Sequence, residues 1–144
     1  MSTSDATTPR GVVERLHRDL LADRDLATVD ELFAEDFVSH TMPPGLPPGR
    51  EGVKQFFAMF ADALPDVDVR IEETVVEGDR AAVVTTTTGT HEGELLGVRP
   101  TGRRVAVTGI DWVRVSDGRI VEHRGLTDIV GLLRQLGGVP DSPA

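Results

Sequence analysis

The sequence predicts an α+β fold in which helices pack in the concave face of a curved, mostly antiparallel sheet. Apolar residues recur at helical spacing in the first part of the chain, and from residue 66 onward they alternate with polar residues as they do in strands. Helices followed by a meander of strands are typical of this fold class. We therefore expect one cone-shaped domain over residues 10–140, with tails at residues 1–9 and 141–144.

Three helices are predicted before the strands, over residues 11–23, 27–33 and 50–64. In the first helix, Val13, Leu16 and Leu20 form an apolar side. His17 falls on the polar side, where a histidine is usually solvated, so we assign it no role.

The third helix carries Phe56, Phe57 and Phe60 on one broad face. Such an aromatic stripe packs in a core or forms the wall of a pocket, and we retain all three as candidate substrate-binding residues. The residues that precede this helix, 41–49, are rich in proline and glycine, which excludes regular structure. They form either a lid over a cavity or a plain connector.

Four strands are predicted next, over residues 67–76, 81–90, 103–115 and 119–128, followed by a short helix over 129–136. Alternation along the third strand places six residues on one face: Val105, Val107, Gly109, Asp111, Val113 and Val115. Asp111 is the only charged residue among them. A carboxylate held against apolar neighbours loses hydration, which makes Asp111 a candidate proton carrier.

The residue opposite Asp111 depends on the turn that follows its strand. A two-residue turn at 117–118 places Asp111 opposite Arg124 and gives a salt bridge. A three-residue loop that also includes Ser116 places Asp111 opposite His123 and gives a carboxylate–imidazole pair. We favour the second register, which makes Asp111 and His123 the candidate catalytic residues. The alternative is a buried pair that only fixes the strand register.

Composition excludes several classes of function. The 144 residues fit one domain, and the net charge of −9 opposes binding to a nucleic acid backbone. The absence of cysteine excludes disulfides and thiolate chemistry. No secretion signal, membrane span, metal-binding motif or nucleotide fingerprint is visible. We therefore expect a cytoplasmic protein with no cofactor, no metal and no nucleic acid or membrane partner.

The other face of the third strand holds Ala106, Thr108, Ile110 and Trp112. One chain has too few helices to cover both faces of the sheet. We therefore expect a homo-oligomer, a dimer or a tetramer, that forms through this outer face.

Several segments, in this order and spacing, resemble the SnoaL-like polyketide cyclase family of the nuclear-transport-factor-2-like superfamily. They are Gly49 to Val53, Gly89 to Gly97, Pro100 to Arg103, and Asp117 to His123. The resemblance covers residues 11 to 140. It implies an α+β cone with a deep apolar pocket and a cofactor-free, aldol-type ring closure of polyketide esters.

The resemblance also implies where catalytic groups lie. The cyclases place a general acid/base aspartate directly after the residues that correspond to His123 and Arg124, where this chain has Gly125. A histidine of their site corresponds to Asp111. The chain therefore keeps a carboxylate in the expected pocket, but on the neighbouring strand. We add Gly125 and Asp128 to the candidate substrate-binding residues.

Two classes of function remain open. The first is an acid/base enzyme that acts on a small hydrophobic carbonyl compound, or a hydrolase in which Asp111 activates water. Since the chain has no tyrosine, His91 or His123 is the available donor to an enolate oxygen. His91 and His40, which stands at the start of the loop 41–49, are further candidate substrate-binding residues. The second is a non-catalytic protein that binds a small apolar ligand, a reading that Gly125 favours.

Overall fold

The computed structural model describes residues 6 to 137. The helical elements are α1 (Pro9–Arg15), a π-helical segment (Leu16–Ala22), α2 (Ala27–Leu32), α3 (Arg50–Ala63) and α4 (Ile129–Gln135). The strands are β1 (Phe33–Ser39), β2 (Asp68–Glu77), β3 (Arg80–Thr90), β4 (Arg104–Ser116) and β5 (Arg119–Thr127). Residues 1–5 and 138–144, which include most of the predicted tails, lie outside the described part.

The strands form one curved, unclosed sheet in the order β1-β5-β4-β3-β2. The β1 strand runs parallel to β5, and the other three pairings are antiparallel. The predicted α+β class, with helices against a mostly antiparallel sheet, is therefore confirmed.

The first predicted helix is present, but only its first part is an α-helix and the rest is a π-helix. It begins earlier, at Pro9, because the Thr8 hydroxyl accepts a hydrogen bond from the Gly11 amide at 3.1 Å and caps the helix. From Leu16 the chain continues as a π-helix, in which each backbone bond spans one more residue. Within residues 6–137, no helix is long and apolar enough to cross a membrane.

The β1 strand was not predicted. Phe33 was expected to end the second helix, but it begins a strand in which Phe33, Phe37 and Ser39 are buried. Glu35 and Asp36 interrupt the apolar alternation by which strands are recognised. The strand forms because β5 supplies its backbone partners, through a pairing with an irregular register.

Two hydrophobic clusters pack against the concave face of the sheet. The first lies beneath α1 and α2 and includes Val13, Leu20, Val83, Val113 and Val115. The second lies near α4 and includes Leu64, Leu95, Val105, Val107 and Leu132. One face of β4 therefore contributes to both clusters: Val113 and Val115 at one end join the first, and Val105 and Val107 at the other end join the second.

The opposite face of the sheet carries exposed apolar side chains. Ile110 and Leu126 lie opposite each other on β4 and β5 and are 51% and 77% exposed. Beside them, Trp112 lies opposite Arg124, whose guanidinium carbon stands 4.7 Å from the centre of the indole ring. Within residues 6–137, no helix covers Ile110 and Leu126 on this outer face.

Candidate active site

The β4–β5 hairpin has a register that differs from both alternatives considered from the sequence. Asp117 and Gly118 form a two-residue turn, and both have positive φ, +52° and +75°. This is the geometry of tight hairpin turns that follow the strand twist, and it contradicts the favoured three-residue loop. A bulge at Val121 then shifts the pairing by one residue, so that Asp111 lies opposite Gly125.

Asp111 and His123 are nevertheless in contact. The bulge places His123 opposite Val113, which is two residues from Asp111 and on the same face. His123 Nε2 lies 2.7 Å from Asp111 Oδ1, a diagonal cross-strand hydrogen bond. The structure therefore forms the predicted carboxylate–imidazole pair through a different register.

Ser39 supports the other side of the imidazole. Its hydroxyl oxygen, on β1, lies 3.0 Å from His123 Nδ1, and the residue is only 6% exposed. The Thr41 amide donates to the same oxygen at 3.3 Å, which leaves the hydroxyl proton free to donate to Nδ1. In that arrangement His123 Nε2 carries a proton and donates a hydrogen bond to the carboxylate of Asp111. Ser39 was missed from the sequence because β1 was not recognised as a strand.

The loop 41–49 begins beside this pair. The Thr41 hydroxyl accepts a hydrogen bond from the Gly125 amide at 2.8 Å, on the strand that carries His123. At its other end, the Pro48 carbonyl accepts from the Ser39 amide at 2.8 Å. Both ends of the loop are thus fixed next to the candidate site, while its role as a lid stays a prediction.

Asp111 is more open than predicted. Its side chain is 42% exposed and that of His123 is 26% exposed, so the carboxylate is not enclosed by apolar groups. The reason lies in its neighbours on the concave face, where Gly109 precedes it on β4 and Gly125 faces it on β5. The site therefore occupies a polar break between the two hydrophobic clusters.

Gly125 makes room for the Asp111 carboxylate. A Cβ atom built at this glycine would lie 2.4 Å from Asp111 Oδ1 and 2.9 Å from His123 Nε2. Contacts this short require a side chain to move. Any residue other than glycine at position 125 therefore competes with the Asp111–His123 hydrogen bond.

His17 lies against the interior, which contradicts its predicted place on the polar side. Its ring is partly buried, and Nδ1 lies 2.9 Å from the Val13 carbonyl oxygen. Burial lowers the pKa of His17 from its ordinary value, and the bond to Val13 and the charge of Asp111 oppose this shift. His17 stands four residues after Val13 and three before Leu20, so even regular helical spacing places it beside the apolar side, and its assignment to the polar side was wrong.

His40 and Asp128 do not join the pair. The His40 ring points to the outer side of the sheet, where Nε2 lies 2.9 Å from Glu122 Oε2. This contact and an Arg114 hydrogen bond lower the pKa of the Glu122 carboxyl. The Asp128 carboxylate caps α4 by accepting from the Gly131 amide at 2.9 Å. Both candidate substrate-binding residues thus have structural partners elsewhere.

His91 is also separate from the site. It follows the end of β3, eight residues beyond Val83, which pairs with Asp111. The residue is completely buried, and its Nδ1 accepts a hydrogen bond from the Thr101 amide at 3.1 Å. Its position ties the loop 95–102 to the end of β3 rather than adding a donor beside Asp111.

Two of the three candidate phenylalanines line a cavity. Phe57 and Phe60 contribute to a space of about 340 Å³ between α3, the π-helical segment and the sheet. Other residues that line it include Leu20, Arg24, Val69 and Thr87. Phe56 packs against Phe60 with ring centres 4.9 Å apart. Asp111 and His123 do not line this cavity, so the aromatic wall and the acid–imidazole pair are distinct features.

Comparison with known proteins agrees with this fold. The family model of the SnoaL-like polyketide cyclases matches residues 11–136. The chain is 33% identical to nogalonic acid methyl ester cyclase of Streptomyces nogalater over 114 residues, which cover 76% of this chain and 83% of the relative. It is 36% identical to aklanonic acid methyl ester cyclase AcmA of Streptomyces galilaeus over 72 residues, 49% of this chain and 50% of the relative.

Solved structures show the same relationship. IdmH of Streptomyces antibioticus superposes with a TM-score of 0.79 at 36% identity, with 90% of this chain and 98% of that chain covered. TsrD of Streptomyces laurentii superposes with a TM-score of 0.83 at 26% identity, with 96% and 99% covered. The chain belongs to the SnoaL-like polyketide cyclase family.

Proposed function

We propose that this protein is a cofactor-independent enzyme that closes a ring in a small polyketide-like ester, with Asp111 as the general base. One observation carries the proposal: the 2.7 Å hydrogen bond between Asp111 Oδ1 and His123 Nε2, on a concave face where glycines stand on either side of the carboxylate. The relatives named as methyl ester cyclases support the choice of substrate class.

Asp111 removes a proton from the carbon next to a carbonyl group. His123 holds one carboxylate oxygen through its Nε2 proton, and the side chain is exposed enough for a substrate to reach the other oxygen. The resulting enolate carbon attacks a second carbonyl carbon of the same molecule, and a carbon–carbon bond forms. The proton held by Asp111 passes to the oxygen of the attacked carbonyl. Substrate and product are isomers, so no external reactant is consumed.

Gly125 supports the proposal that the general base of this chain lies on β4, at Asp111, rather than on β5. The resemblance implies a catalytic aspartate at this position, and its loss alone would suggest an inactive chain. However, Asp111 Oδ1 lies 2.4 Å from the point where the Cβ of a residue at position 125 would stand. A carboxylate from β4 therefore occupies space that a β5 side chain would enter.

The test is ring closure by the purified protein. Nogalonic acid methyl ester and aklanonic acid methyl ester are incubated separately with the protein. The products are separated by chromatography, and their masses are measured by mass spectrometry. We expect a product of unchanged mass and altered retention that forms at a rate proportional to protein concentration. Release of methanol from the ester would instead indicate the hydrolase. An unchanged ester at high protein concentration would contradict both.

A second candidate is a binding protein without catalysis. The 340 Å³ cavity lined by Phe57 and Phe60 favours it, because this apolar space is separate from Asp111 and His123. Calorimetric titration with the same esters distinguishes the two functions. A binding protein takes up the ester without turnover, and Phe60→Ala weakens its binding.

We also propose that the protein forms a homo-oligomer, a dimer or a tetramer, through the outer face of the sheet. Ile110 and Leu126 form an exposed apolar pair at the centre of this face. Exposed apolar pairs of this kind mark interfaces. A second copy related by twofold symmetry would bring the same pair against itself.

A further inference from the structure

We propose that Ser39 is a positioning residue of this site: its hydroxyl keeps the proton of neutral His123 on Nε2, from where His123 holds Asp111 in place as the base. This inference rests on the proposed function, because it concerns the base that starts ring closure. It deepens that proposal by adding a residue of β1 that acts through His123 and not on the substrate.

Both ring nitrogens of His123 contact side chains of neighbouring strands. Nε2 lies 2.7 Å from Asp111 Oδ1 on β4, and Nδ1 lies 3.0 Å from Ser39 Oγ on β1. Ser39 and His123 are register partners in the parallel β1–β5 pairing, so the backbone itself brings the hydroxyl to the ring. The imidazole is therefore held from both sides of β5.

The protons of this arrangement can be assigned. A neutral imidazole has one N–H, so one ring nitrogen donates and the other accepts. An ionised carboxylate only accepts, and a lone pair on Nε2 would repel Asp111 Oδ1 at this short distance. The proton is therefore needed on Nε2, and Nδ1 needs a donor. The Ser39 hydroxyl lies within hydrogen-bond distance of Nδ1 and supplies that donor.

The loop 41–49 keeps the hydroxyl in this role. The Thr41 amide, which can only donate, gives a hydrogen bond to Ser39 Oγ at 3.3 Å, so the hydroxyl proton remains for Nδ1. From the other end of the loop, the Pro48 carbonyl accepts from the Ser39 amide at 2.8 Å. Ser39 is also buried, and a buried hydrogen bond is stronger than one in water.

Substitutions of Ser39 separate the donor from the volume of the side chain. Without a donor at Nδ1, the tautomer with its proton on Nδ1 becomes populated, and in that tautomer Asp111 loses its hydrogen bond. We expect Ser39→Ala to lower kcat for nogalonic acid methyl ester about three- to tenfold, as loss of one hydrogen bond does, with KM little changed. Ser39→Thr keeps a hydroxyl and should recover most of this kcat. Ser39→Cys keeps the volume but has only a weak donor, and it should not.

A readout without turnover uses nitrogen-15-labelled histidine, because the resonance of a protonated ring nitrogen differs from that of a nitrogen with a lone pair. At a pH where the histidines are neutral, we expect wild-type His123 to carry its proton on Nε2, with the signal assigned by its loss in His123→Asn. Ser39→Ala should show a mixture of both tautomers. His91 is the internal control, since its Nδ1 accepts from the Thr101 amide at 3.1 Å and its tautomer should not change.

A proton on Nδ1 of His123 in the wild type overturns the inference without any variant, so the test holds even if Ser39→Ala does not fold. An unchanged tautomer or an unchanged kcat in Ser39→Ala also overturns it. Equal recovery of kcat by Ser39→Cys and Ser39→Thr does the same, because packing alone would then explain the loss. The proposed function stands in each of these cases. Wild-type protein that leaves the ester unchanged overturns the proposed function, while the tautomers still decide whether Ser39 directs the proton of His123.

Discussion

Gly125 lies opposite Asp111 across the β4–β5 ladder, and a Cβ atom at Gly125 would come within 2.4 Å of Asp111 Oδ1. The hydrogen bond between Asp111 and His123 therefore depends on position 125 being a glycine, which has no side chain. This relationship makes the candidate site testable without altering either member of the pair.

Gly125→Ala should separate Asp111 from His123 while the fold survives, because the atoms that must move belong to the ends of side chains. We expect kcat for ring closure to fall roughly 10- to 100-fold, as a catalytic group displaced by about 1 Å does. Steady-state kinetics with the ester measures this change. The control is Gly109→Ala on the same face, whose added Cβ comes no nearer than 3.3 Å to any neighbour. Equal losses in both variants would contradict the steric explanation.

Moving the carboxylate from position 111 to position 125 tests whether the general base lies on β4 in this chain. Gly125→Asp alone should lower activity, since its side chain displaces the Asp111 carboxylate from His123. The double variant Asp111→Ala/Gly125→Asp removes that conflict and leaves one carboxylate at position 125. We expect it to be more active than Gly125→Asp. If Gly125→Asp alone creates activity in an otherwise inert protein, the natural chain is a binding protein that has lost its catalytic aspartate.

Folding stability should depend on pH through His17. Its pKa is lowered in the folded state relative to 6.5. Neutral His17 therefore stabilises the fold above about pH 6.5, and this contribution is lost as the pH falls through that value toward the folded pKa. We expect the melting temperature to fall more between about pH 7.5 and pH 5 in the wild type than in His17→Asn. Calorimetry at several pH values measures the difference, and identical profiles would refute it.

The regular part of the fold could be predicted from the sequence. Alternation along β4 correctly placed Val105, Val107, Val113 and Val115 on one buried face, with Ile110 on the other. This pattern is local, because each apolar side chain must reach the core from its own strand. The contact between Asp111 and His123 was predicted from a three-residue turn that the structure does not have, and it forms because the bulge at Val121 places His123 on that face.

The remaining features depend on tertiary context. The bulge at Val121 follows from how β4 and β5 combine a two-residue turn with burial on one face, and no local residue signals it. The β1 strand exists only because β5 pairs with it, so Ser39 was not visible as a site residue. The π-helical form of residues 16–22 was likewise not visible in the local pattern, which is that of a regular amphipathic helix.

Leu126→Glu should dissociate the proposed oligomer. Leu126 is 77% exposed within one chain, so a charge there costs the isolated fold little but opposes an apolar interface. Light scattering at micromolar concentration should show a smaller mass for this variant than for the wild type. Leu96→Glu, at a loop residue that is 42% exposed, is the matched control and should keep the wild-type mass. A wild-type monomer would contradict the prediction.

The most direct measurement is turnover of the ester by Asp111→Asn. The amide keeps the shape of the side chain but cannot accept the proton as a base. We predict that kcat falls by about two to four orders of magnitude while the melting temperature and the affinity for the ester remain close to wild type. Full turnover by Asp111→Asn, in a protein whose wild type closes the ring, would show that another group removes the proton.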